Sequence, residues 1–416
     1  MSDSFKFIHA ADFHLDQPIS GLPEIPNHLT HSLANAPYLA AQKVFDFAIS
    51  ERVDFVLLAG DLYESEAGNA RAAAFLLNQF QRLNEKGITI YWCGGQADHP
   101  ERWPGAIELP ENVVTFASGL VEVIPHRRDG TVIARIIGSG YNSKLRNAEN
   151  FAAPDLEQFN IALAHGEFDP STITGTSIRY WALGGKHKQV KIEQTETVIA
   201  YPGTPQSRHP KELGVHGFNL CRVDTSGKLR VQAIESDRVR WVRQKLLIRE
   251  DVALPILKNE LADRATKLIA DTTEQVVLCN WYFSTEGGFN PKIRTPEWKS
   301  EILGWLREEF GRTDRGLWSV AIKVEAARNL PSSWYDEDTI LGEYLRAVGR
   351  FQSDETLRLD FSQFLPRGLD SSITQGFNGM CELQRDEVLR RSAMLGVEYL
   401  AKHREIEVPA TAGTEA

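Results

Sequence analysis

The chain has 416 residues, of which 42% are hydrophobic and 25% charged, and its formal net charge is −10 at pH 7. These proportions are ordinary for a globular protein and exclude wholesale disorder. The negative charge excludes a protein that coats nucleic acid through its overall field, so any contact with DNA must depend on bound cations and local basic patches. The length exceeds what one hydrophobic core usually serves and predicts more than one domain.

Cysteine usage and the amino terminus bear on the compartment. The four cysteines, Cys93, Cys221, Cys279 and Cys381, are far apart and form no CxxC pair, which predicts reduced thiols rather than disulfides or a zinc knuckle. The first residues lack a long apolar signal segment, and no stretch approaches the roughly 20 apolar residues of a membrane span. The sequence therefore predicts a cytoplasmic protein without a membrane partner.

Short apolar runs alternate with helical periodicity from residue 5 to about residue 240. This pattern is typical of a layered α/β domain, whose sites lie on the loops at strand ends. Helices are predicted at Leu33–Ser50 and Ala70–Lys86, and strands at Phe5–Ala10, Val53–Ala59, Ile88–Cys93, Val113–Phe116, Thr131–Ile137, Asn160–Ala164 and Val198–Tyr201.

The pattern changes after Arg240. Strands at Lys245–Arg249, Val276–Ser284 and Leu317–Val324 alternate with helices at Pro255–Ala270 and Pro296–Phe310, and the remainder is mainly helical. We therefore predict four segments: a main domain at 1–240, a smaller α/β capping domain at 241–335, a helical region at 336–404 and a disordered tail at 405–416.

Five side chains able to bind metal lie just after four apolar, strand-like runs. They are Asp12, His14, Asp61, His165 and His187. Any one of them alone is more typical of a helix cap, a turn or a surface histidine. Their recurrence at strand ends indicates a metal site, and the mixture of carboxylate and imidazole suits Mn, Fe or Zn. Two such cations about 3.5–4 Å apart can clamp a phosphate and activate water.

Four segments together resemble one family. They are IHAADFHLDQPISGL, VDFVLLAGDLYE, YWALGGKH and YPGTPQSRHPKE, in that order within residues 5–220. The first two resemble the DxH and GD motifs of calcineurin-like metallophosphoesterases, and the last two resemble the YWALGHIH and YPG-x-x-Q-x-R stretches of the SbcD/YhaO-like DNA-repair exonucleases. The resemblance implies a metallophosphoesterase β-sandwich flanked by helices.

The resemblance also implies which residues hold metal. Asp12, His14, Asp61 and His187 match the ligands of the first metal, Asp61 matches the carboxylate that bridges both metals, and His165 matches a ligand of the second. The expected cofactor is Mn²⁺, with Mg²⁺, Fe or Zn as alternatives, and the expected substrate is DNA.

Two motifs depart from the family pattern. The family's GNHD appears as Gly95–Asp98, so that Gln96 replaces an asparagine ligand and Ala97 replaces the histidine that assists the leaving oxygen. Gly185 stands where the family has a further histidine ligand of the second metal. The resemblance thus implies one complete metal shell, and a second reduced to Asp61, His165 and Gln96.

Nearby residues are candidates to compensate for these losses. His99 is a candidate stand-in for the missing imidazole, and Lys186 is a candidate to contact phosphate beside the altered second site. Arg102 and Arg208 are predicted to bind substrate, and the basic run His126–Arg128, with Lys188, is a further candidate for the DNA backbone. The alternative for each of these residues is solvated surface.

The region after residue 240 offers candidates for binding partners. Trp281, Tyr282, Trp298 and Trp305 either stack on bases or, as their spacing favours, pack in a core. A helical apolar face beyond residue 381 either docks on an SMC-like ATPase or packs on the chain itself; its members are Val388, Leu389, Val397, Tyr399 and Leu400. A homodimer is a further candidate form of assembly.

Three functions compete. The first is a metal-dependent phosphodiesterase that resembles the nuclease subunit of an SbcCD-like DNA end-processing complex. The second is a pseudo-nuclease that keeps the fold and one metal as a scaffold for an ATPase or for DNA ends. The third, a protein phosphatase or nucleotide phosphodiesterase, is disfavoured because AGDLYESE stands where phosphatases carry GDxVDRG.

Overall fold

A computed structural model gives the architecture of the chain. It describes residues 4–64, 70–105, 107–141, 148–151, 158–173, 177–249, 252–272, 276–286, 292–313, 316–324, 330, 332–354, 356–357 and 382–400. The chain divides into two compact units. The first runs to Arg243 and also includes Ala265–Cys279 and Glu309–Val320; the second comprises Gln244–Arg264, Asn280–Glu308 and the described residues from Ala321 onward. The four predicted segment boundaries stay predictions.

The described part of the chain forms fifteen labelled strands and six labelled helices. The strands are β1 Phe5–Ala10, β2 Phe55–Leu58, β3 Thr89–Trp92, β4 Val113–Thr115, β5 Glu122–Arg128, β6 Thr131–Gly138, β7 Asn160–His165, β8 Tyr180–Gly184, β9 Val190–Gln194, β10 Thr197–Tyr201, β11 Gly217–Val223, β12 Leu229–Glu235, β13 Val239–Arg249, β14 Val276–Glu286 and β15 Gly316–Val324. The helices are α1 Thr30–Glu51, α2 Ala70–Asn84, α3 Leu254–Asp271, α4 Pro296–Phe310, α5 Ile340–Ser353 and α6 Glu382–Leu400.

Two six-stranded sheets build the first unit. Their strand orders are β12-β11-β1-β2-β3-β4 and β5-β6-β7-β8-β10-β9. β1, β2, β3 and β4 run parallel, as do β6, β7, β8 and β10. Within each sheet the loops that follow the parallel strands therefore emerge at one edge, which is where α/β sheets usually carry their sites.

Alternation along β1 shows how this layering follows from sequence. Phe7 faces the second sheet, stacking on Phe55 with ring centroids 5.0 Å apart and meeting Tyr180 edge-on at 5.4 Å. Ile8, its neighbour, points to the opposite face and joins the cluster formed with α1 and α2. A strand apolar on both faces is buried on both sides, as the run FKFIHA predicts. The layered α/β fold flanked by helices is confirmed.

All seven strands predicted for the first 240 residues are present, with ends that agree or differ by one or two residues. The sequence prediction missed β5, β8, β9, β11 and β12, because their residues were assigned to motifs, to basic runs or to no element. The basic run Arg127–Arg128 with His126 forms the end of β5: His126 is buried and bonds the Tyr91 hydroxyl at 3.0 Å, and Arg128 pairs with Asp54. The proposal that His126 holds a DNA backbone is therefore wrong.

In the second unit the aromatic side chains serve packing. Trp281 and Trp298 are buried, and Trp298 meets Phe283 edge-on with centroids 5.9 Å apart. The Lys258 ammonium lies 5.4 Å from the centroid of the Trp305 ring. The core interpretation is confirmed for Trp281 and Trp298.

Strands β13, β14 and β15 form a three-stranded sheet in that order.

Helices α5 and α6 pack against each other. Leu341, Leu345 and Val348 of α5 share one buried cluster with Leu389, Ala393 and Val397 of α6. The expectation that Leu389 and Val397 serve a partner is therefore wrong, since their face is covered by the chain itself. Tyr399 and Leu400 remain exposed. The predicted tail at 405–416 lies outside the described residues. Among the described helices, none is long and apolar enough to cross a membrane.

Candidate metal centre

The candidate ligands lie on loops that leave the carboxyl ends of four strands. Asp12 and His14 follow β1, Asp61 follows β2, His165 ends β7 and His187 follows β8. Asp12, His14 and Asp61 have positive φ angles of 57°, 43° and 55°. Such backbone is costly for residues other than glycine and clusters at functional sites.

Backbone hydrogen bonds hold these strained loops in place. The Asp12 amide donates to the Gly60 carbonyl at 2.9 Å, and the His14 amide donates to the Asp61 carbonyl at 3.0 Å. Gly60 itself must lack a side chain, because a Cβ there would lie 2.4 Å from the carbonyl oxygen of Gly94. The loops after β1, β2 and β3 are thus fixed against one another before any ligand binds.

Three of the side chains converge closely enough to share a cation. Ligand atoms of Asp12, Asp61 and His165 all lie within 4.8 Å of one another, and all three residues are buried. Asp61 Oδ2 lies 3.4 Å from His165 Nε2 and 3.7 Å from His14 Nε2. Asp61 therefore lies between two imidazoles, the position that a bridging carboxylate requires.

Each of three histidines is anchored through its Nδ1 atom. His165 Nδ1 donates to the Ala59 carbonyl at 2.7 Å, His187 Nδ1 to Glu212 Oε1 at 2.7 Å and His14 Nδ1 to Glu64 Oε1 at 3.2 Å. This tautomer leaves the Nε2 lone pair for a metal. Among the described residues, His14 Nε2 is buried without a hydrogen-bond partner. An orphaned buried nitrogen facing carboxylates fits a cation site.

Ionisation of the cluster points the same way. Burial is the largest single influence on Asp61 and would raise its pKa, but the hydrogen bond and charge of His165, the Ala97 amide and the charge of His14 together lower the pKa to about 2. For His165 burial lowers the pKa, yet Asp61 and Asp12 raise it to about 9. Burial raises the pKa of Asp12 to about 6 and lowers that of His14 to about 3. The buried carboxylates thus favour a positive charge beside them, and a divalent cation supplies such a charge.

Asp98, which was not singled out from the sequence, holds together the loops that carry the site. It is fully buried and accepts hydrogen bonds from the amides of Asp61 at 2.7 Å, Leu62 at 2.8 Å and Gly95 at 2.6 Å. Burial, with the nearby Asp61, raises its pKa to about 7. Because Asp98 joins the loops after β2 and β3, it fixes where Asp61 points. Its place as the last residue of the altered GNHD-like motif was the available signal.

The altered positions contribute backbone donors. The Ala97 amide donates to Asp61 Oδ1 at 2.8 Å, and the Gly185 amide lies 2.9 Å from Asp12 Oδ1 and 3.0 Å from Oδ2. Gly185 has a φ of 95°, and a Cβ there would lie 3.2 Å from His165 Nε2. Gln96 is exposed, and its role as a second-metal ligand stays a prediction.

The residues proposed to compensate for the missing histidines, or to bind substrate, lie at different places around the centre. The His99 ring lies 5.7 Å from that of Tyr141, which lies 5.7 Å from the His165 ring. The Lys186 ammonium lies 4.8 Å from the centroid of the Tyr201 ring. Arg102 is exposed in the 3-10 turn Pro100–Arg102. Roles for these residues in catalysis or substrate binding stay predictions.

Arg208, in contrast, is buried beside the ligands. Its Nη1 donates to Gln17 Oε1 at 2.6 Å, and its amide donates to Glu212 Oε2 at 2.6 Å. Gln17 in turn donates to Glu64 at 2.6 Å. Glu64 and Glu212, the carboxylates that orient His14 and His187, were missed by the sequence analysis. Both lie inside quoted motifs, at the ends of AGDLYE and YPGTPQSRHPKE.

We expect Glu212→Gln to weaken Mn²⁺ binding about 10- to 100-fold, the usual cost of losing a partner that orients a metal-binding histidine. The neutral amide no longer favours the Nδ1–H tautomer of His187. Isothermal titration of the metal-stripped protein measures the affinity. Glu193→Gln, on the surface strand β9, is the matched control. Equal affinities in both variants would show that His187 needs no such orientation.

Together, the layered sheets and the strand-end cluster of carboxylates and imidazoles define a metallophosphoesterase. The sequence profile of the family described as calcineurin-like phosphoesterase matches residues 5–201. The uncharacterized metallophosphoesterase YhaO of Bacillus subtilis is 31% identical over 283 residues, covering 64% of this chain and 69% of that protein. The chain belongs to the calcineurin-like phosphoesterase family, a family that binds divalent metal.

More distant similarity extends to DNA-repair proteins. The DNA double-strand break repair protein Mre11 of Thermoplasma acidophilum is 22% identical over 265 residues, covering 57% of this chain and 68% of that protein. Its namesake in Methanocaldococcus jannaschii is 23% identical over 241 residues, covering 53% and 63%. The superfamily resemblance seen in the motifs is confirmed.

Proposed function

We propose that the protein is a metal-dependent phosphodiesterase acting on DNA ends, similar to the nuclease subunit of an SbcCD-like complex. The observation that carries the proposal is the position of Asp61 between His14 and His165, with Asp12 in the same buried cluster. The similarity to two proteins named as DNA double-strand break repair proteins supports DNA as the substrate class.

In this proposal Asp12, His14, Asp61 and His187 hold a first cation, and Asp61, His165 and Gln96 hold a second. Mn²⁺ is the proposed metal, with Mg²⁺, Fe or Zn as alternatives. Bound cations supply Lewis-acid activation of the phosphate and of the attacking water.

The chain's own groups orient and hold the reactants in this proposal. Glu64, Glu212 and the Ala59 carbonyl aim the histidine Nε2 atoms at the centre. Arg208 and Arg102 bind substrate phosphates, and His99 and Lys186 are candidates for the work of the missing imidazole. The hydrogen bond to Gln17 fixes the guanidinium of Arg208 beside His187. A guanidinium held in one orientation is well suited to contact phosphate, because it is a planar donor.

A second candidate function is a scaffold with little or no turnover, and the altered loops favour it. Ala97 and Gly185 lack the imidazoles of the family motif, and only their backbone amides contact the centre, at Asp61 and Asp12. A chain that keeps one cation and a folded site would still hold DNA ends or support an ATPase.

Partners and compartment follow from the same proposal. DNA and an SMC-like ATPase are the proposed partners, with a homodimer as a further assembly and the cytoplasm as the compartment. Tyr399 and Leu400, which are exposed at the end of α6, are the apolar residues proposed to contact such an ATPase.

The test uses the full chain, stripped with EDTA and reloaded with Mn²⁺. Hydrolysis of bis(p-nitrophenyl) phosphate and p-nitrophenyl phosphate separates diester from monoester chemistry, and linear against covalently closed circular DNA tests the need for an end. We expect Mn²⁺-dependent cleavage of the diester and of linear DNA. Preference for the monoester would contradict a phosphodiesterase, and metal binding without any hydrolysis would favour the scaffold.

A further inference from the structure

A cavity of about 640 Å³ lies at the amino-terminal end of β1, at the other end of the strand from the metal-ligand loops. Its walls come from the start of β1, the end of β5, the end of β11 and the start of β12. The antiparallel register of β1 with β11, which pairs Phe5 with Val223 and Lys6 with Arg222, brings the ends of the first sheet together. The end of β5 comes from the second sheet, and Arg128 joins it to the others through Asp54 and the Ser4 carbonyl. The volume falls within the roughly 300–1,000 Å³ that ligand sites occupy.

The cavity is strongly basic, although the chain carries a net charge of −10. Its charged lining residues are two acids, Asp54 and Asp224, and six cations, Lys6, Arg52, Arg128, Arg222, Lys228 and Arg230. On an acidic protein this concentration of cations runs against the overall field, so it creates a local attraction for anions that the net charge does not predict.

Half of these cations are held in fixed positions. Arg128 Nε donates to Asp54 Oδ1 at 2.8 Å, and Arg128 Nη1 donates to the Ser4 carbonyl at 3.0 Å. Lys6 and Arg222 both reach Glu51, at 3.4 Å and 3.2 Å. These contacts fix the wall of the cavity, and they neutralise part of its charge.

The other cations are exposed. Arg52, Lys228 and Arg230 line the same cavity with exposed side chains. The second lining acid, Asp224, accepts hydrogen bonds from the Ser226 and Lys228 amides at 2.9 Å and 3.0 Å. Asp224 keeps its negative charge and lies close enough to Arg230 to attract it. Even when Glu51 is counted with Asp54 and Asp224, three acids face six cations, so a surplus of positive charge remains.

We infer that this cavity is an anion site that binds the phosphate groups of a ligand. Guanidinium groups form paired hydrogen bonds with phosphate oxygens, and lysine adds point charges around them. β1 has six residues, which places the cavity about 20 Å from the metal centre at 3.3 Å per residue. A small phosphate ligand cannot occupy both sites, whereas a nucleic-acid strand of about six residues, at 3.4 Å each, spans them.

Binding is tested in EDTA, which removes the metal centre as a competing phosphate site. The probes are inorganic pyrophosphate and a single-stranded DNA of twelve nucleotides, each titrated into the full chain at several salt concentrations. The variant is Arg52→Asn with Arg230→Gln, since asparagine tolerates the left-handed backbone at Arg52, whose φ is 51°. The control, Lys267→Gln with Arg312→Gln, removes the same charge from exposed residues of the first unit outside the cavity.

We expect the cavity variant to raise Kd at least tenfold and the control to leave it nearly unchanged. For the oligonucleotide, losing two phosphate contacts should also flatten the salt dependence, by about 1.4 in log Kd per log salt. A loss confined to the oligonucleotide identifies a nucleic-acid backbone as the source of the phosphates, and an equal loss for pyrophosphate identifies a small ligand.

Three results would overturn the inference: no binding of either probe to the natural chain, equal weakening in variant and control, or no weakening in the variant. Lys228→Gln alone, at an exposed side chain, repeats the test with a smaller expected loss should the double variant fold poorly. Mn²⁺-dependent diester hydrolysis should be the same in the cavity variant and the natural chain. The inference thus stands or falls separately from the proposed phosphodiesterase activity.

Discussion

Replacing Asp61 with alanine should lower kcat/KM for Mn²⁺-dependent hydrolysis of bis(p-nitrophenyl) phosphate by at least about 10³-fold. Asp61 lies between His14 and His165, so its loss removes a ligand from both proposed cation positions. Lewis-acid stabilisation by a bound cation is worth several kcal/mol, and each 1.36 kcal/mol is tenfold in rate. The same variant should lose most Mn²⁺ binding in isothermal titration, a readout that does not depend on how fast the natural chain turns over.

Asp61→Asn separates charge from shape. Its amide oxygen still accepts the hydrogen bond that the Ala97 amide gives to Asp61 Oδ1, so the loops after β2 and β3 should keep their arrangement. Asp46→Asn, at a surface ion pair with Arg82, is the matched control and should behave as the natural chain does. If Asp61→Asn keeps metal binding and activity within tenfold, the metal does not depend on this carboxylate, and the proposed centre is wrong.

Sequence predicted the strand ends well because strand burial leaves a strong local signal. In the run FKFIHA both faces are apolar, and the polar residues begin directly where the strand stops. The same logic placed Asp12, Asp61 and His165 at separate strand ends. Asp12 and Asp61 meet because β1 and β2 are parallel neighbours, whereas His165 belongs to the second sheet and reaches them through the packing of the two sheets, where its Nδ1 bonds the Ala59 carbonyl. The family resemblance supplied the pairing of motifs that periodicity alone does not give.

Other features depend on contacts between distant parts of the chain. Glu212 orients His187 from 25 residues away, and Asp98 organises the loop of Asp61 from 37 residues away. Glu212 lies within the YPGTPQSRHPKE motif, but the motif does not show which histidine its carboxylate orients. The basic cavity is similarly hidden, because its cations come from five strand or helix ends that are distant in sequence. The register of β1 with β11 and the packing of β5 from the second sheet bring them together.

The carboxy-terminal helix shows the same limit in another form. An amphipathic pattern predicts that one face of α6 is buried, but it does not show which element covers that face. Here α5 covers Leu389 and Val397. The Tyr344 hydroxyl bonds Ser392, and a Cβ at Gly396 would lie 2.0 Å from the Tyr344 ring, so the contact requires a glycine on the facing helix. Glycine in a helix usually signals weakness, but at this position it permits close packing.

Restoring the family residues should produce the largest gain in activity. Changing Gln96→Asn and Ala97→His together should raise the rate on linear DNA by at least about 10²-fold, the low end of general acid–base effects. The new imidazole would lie next to the amide that already bonds Asp61 Oδ1, close to where a leaving oxygen would need a proton. Asparagine at position 96 has a side chain one methylene shorter than that of glutamine, and it matches the family's second-metal ligand.

Adding Gly185→His should raise second-metal occupancy further, but at a cost in stability. The φ of 95° at Gly185 lies beyond the left-handed region that side chains tolerate, and a Cβ would lie 3.2 Å from His165 Nε2. Such strain costs on the order of 1–3 kcal/mol. Gly185→Ala carries the strain without the ligand, so its Tm separates the two effects. The second position of the natural chain lacks an imidazole ligand and should bind Mn²⁺ more weakly than the first. At Mn²⁺ concentrations that fill only the first position of the natural chain, the triple variant should therefore approach two ions per chain.

Two outcomes would contradict this account of the altered site. Robust exonuclease activity in the natural chain would show that His99, Lys186 or another group already does the work of the missing imidazole. His99→Ala and Lys186→Ala would then identify which, because each should remove that activity. A triple variant that binds two ions yet stays inert would show that the departure from nuclease chemistry extends beyond positions 96, 97 and 185, and the scaffold function would account for the chain better than an enzyme would.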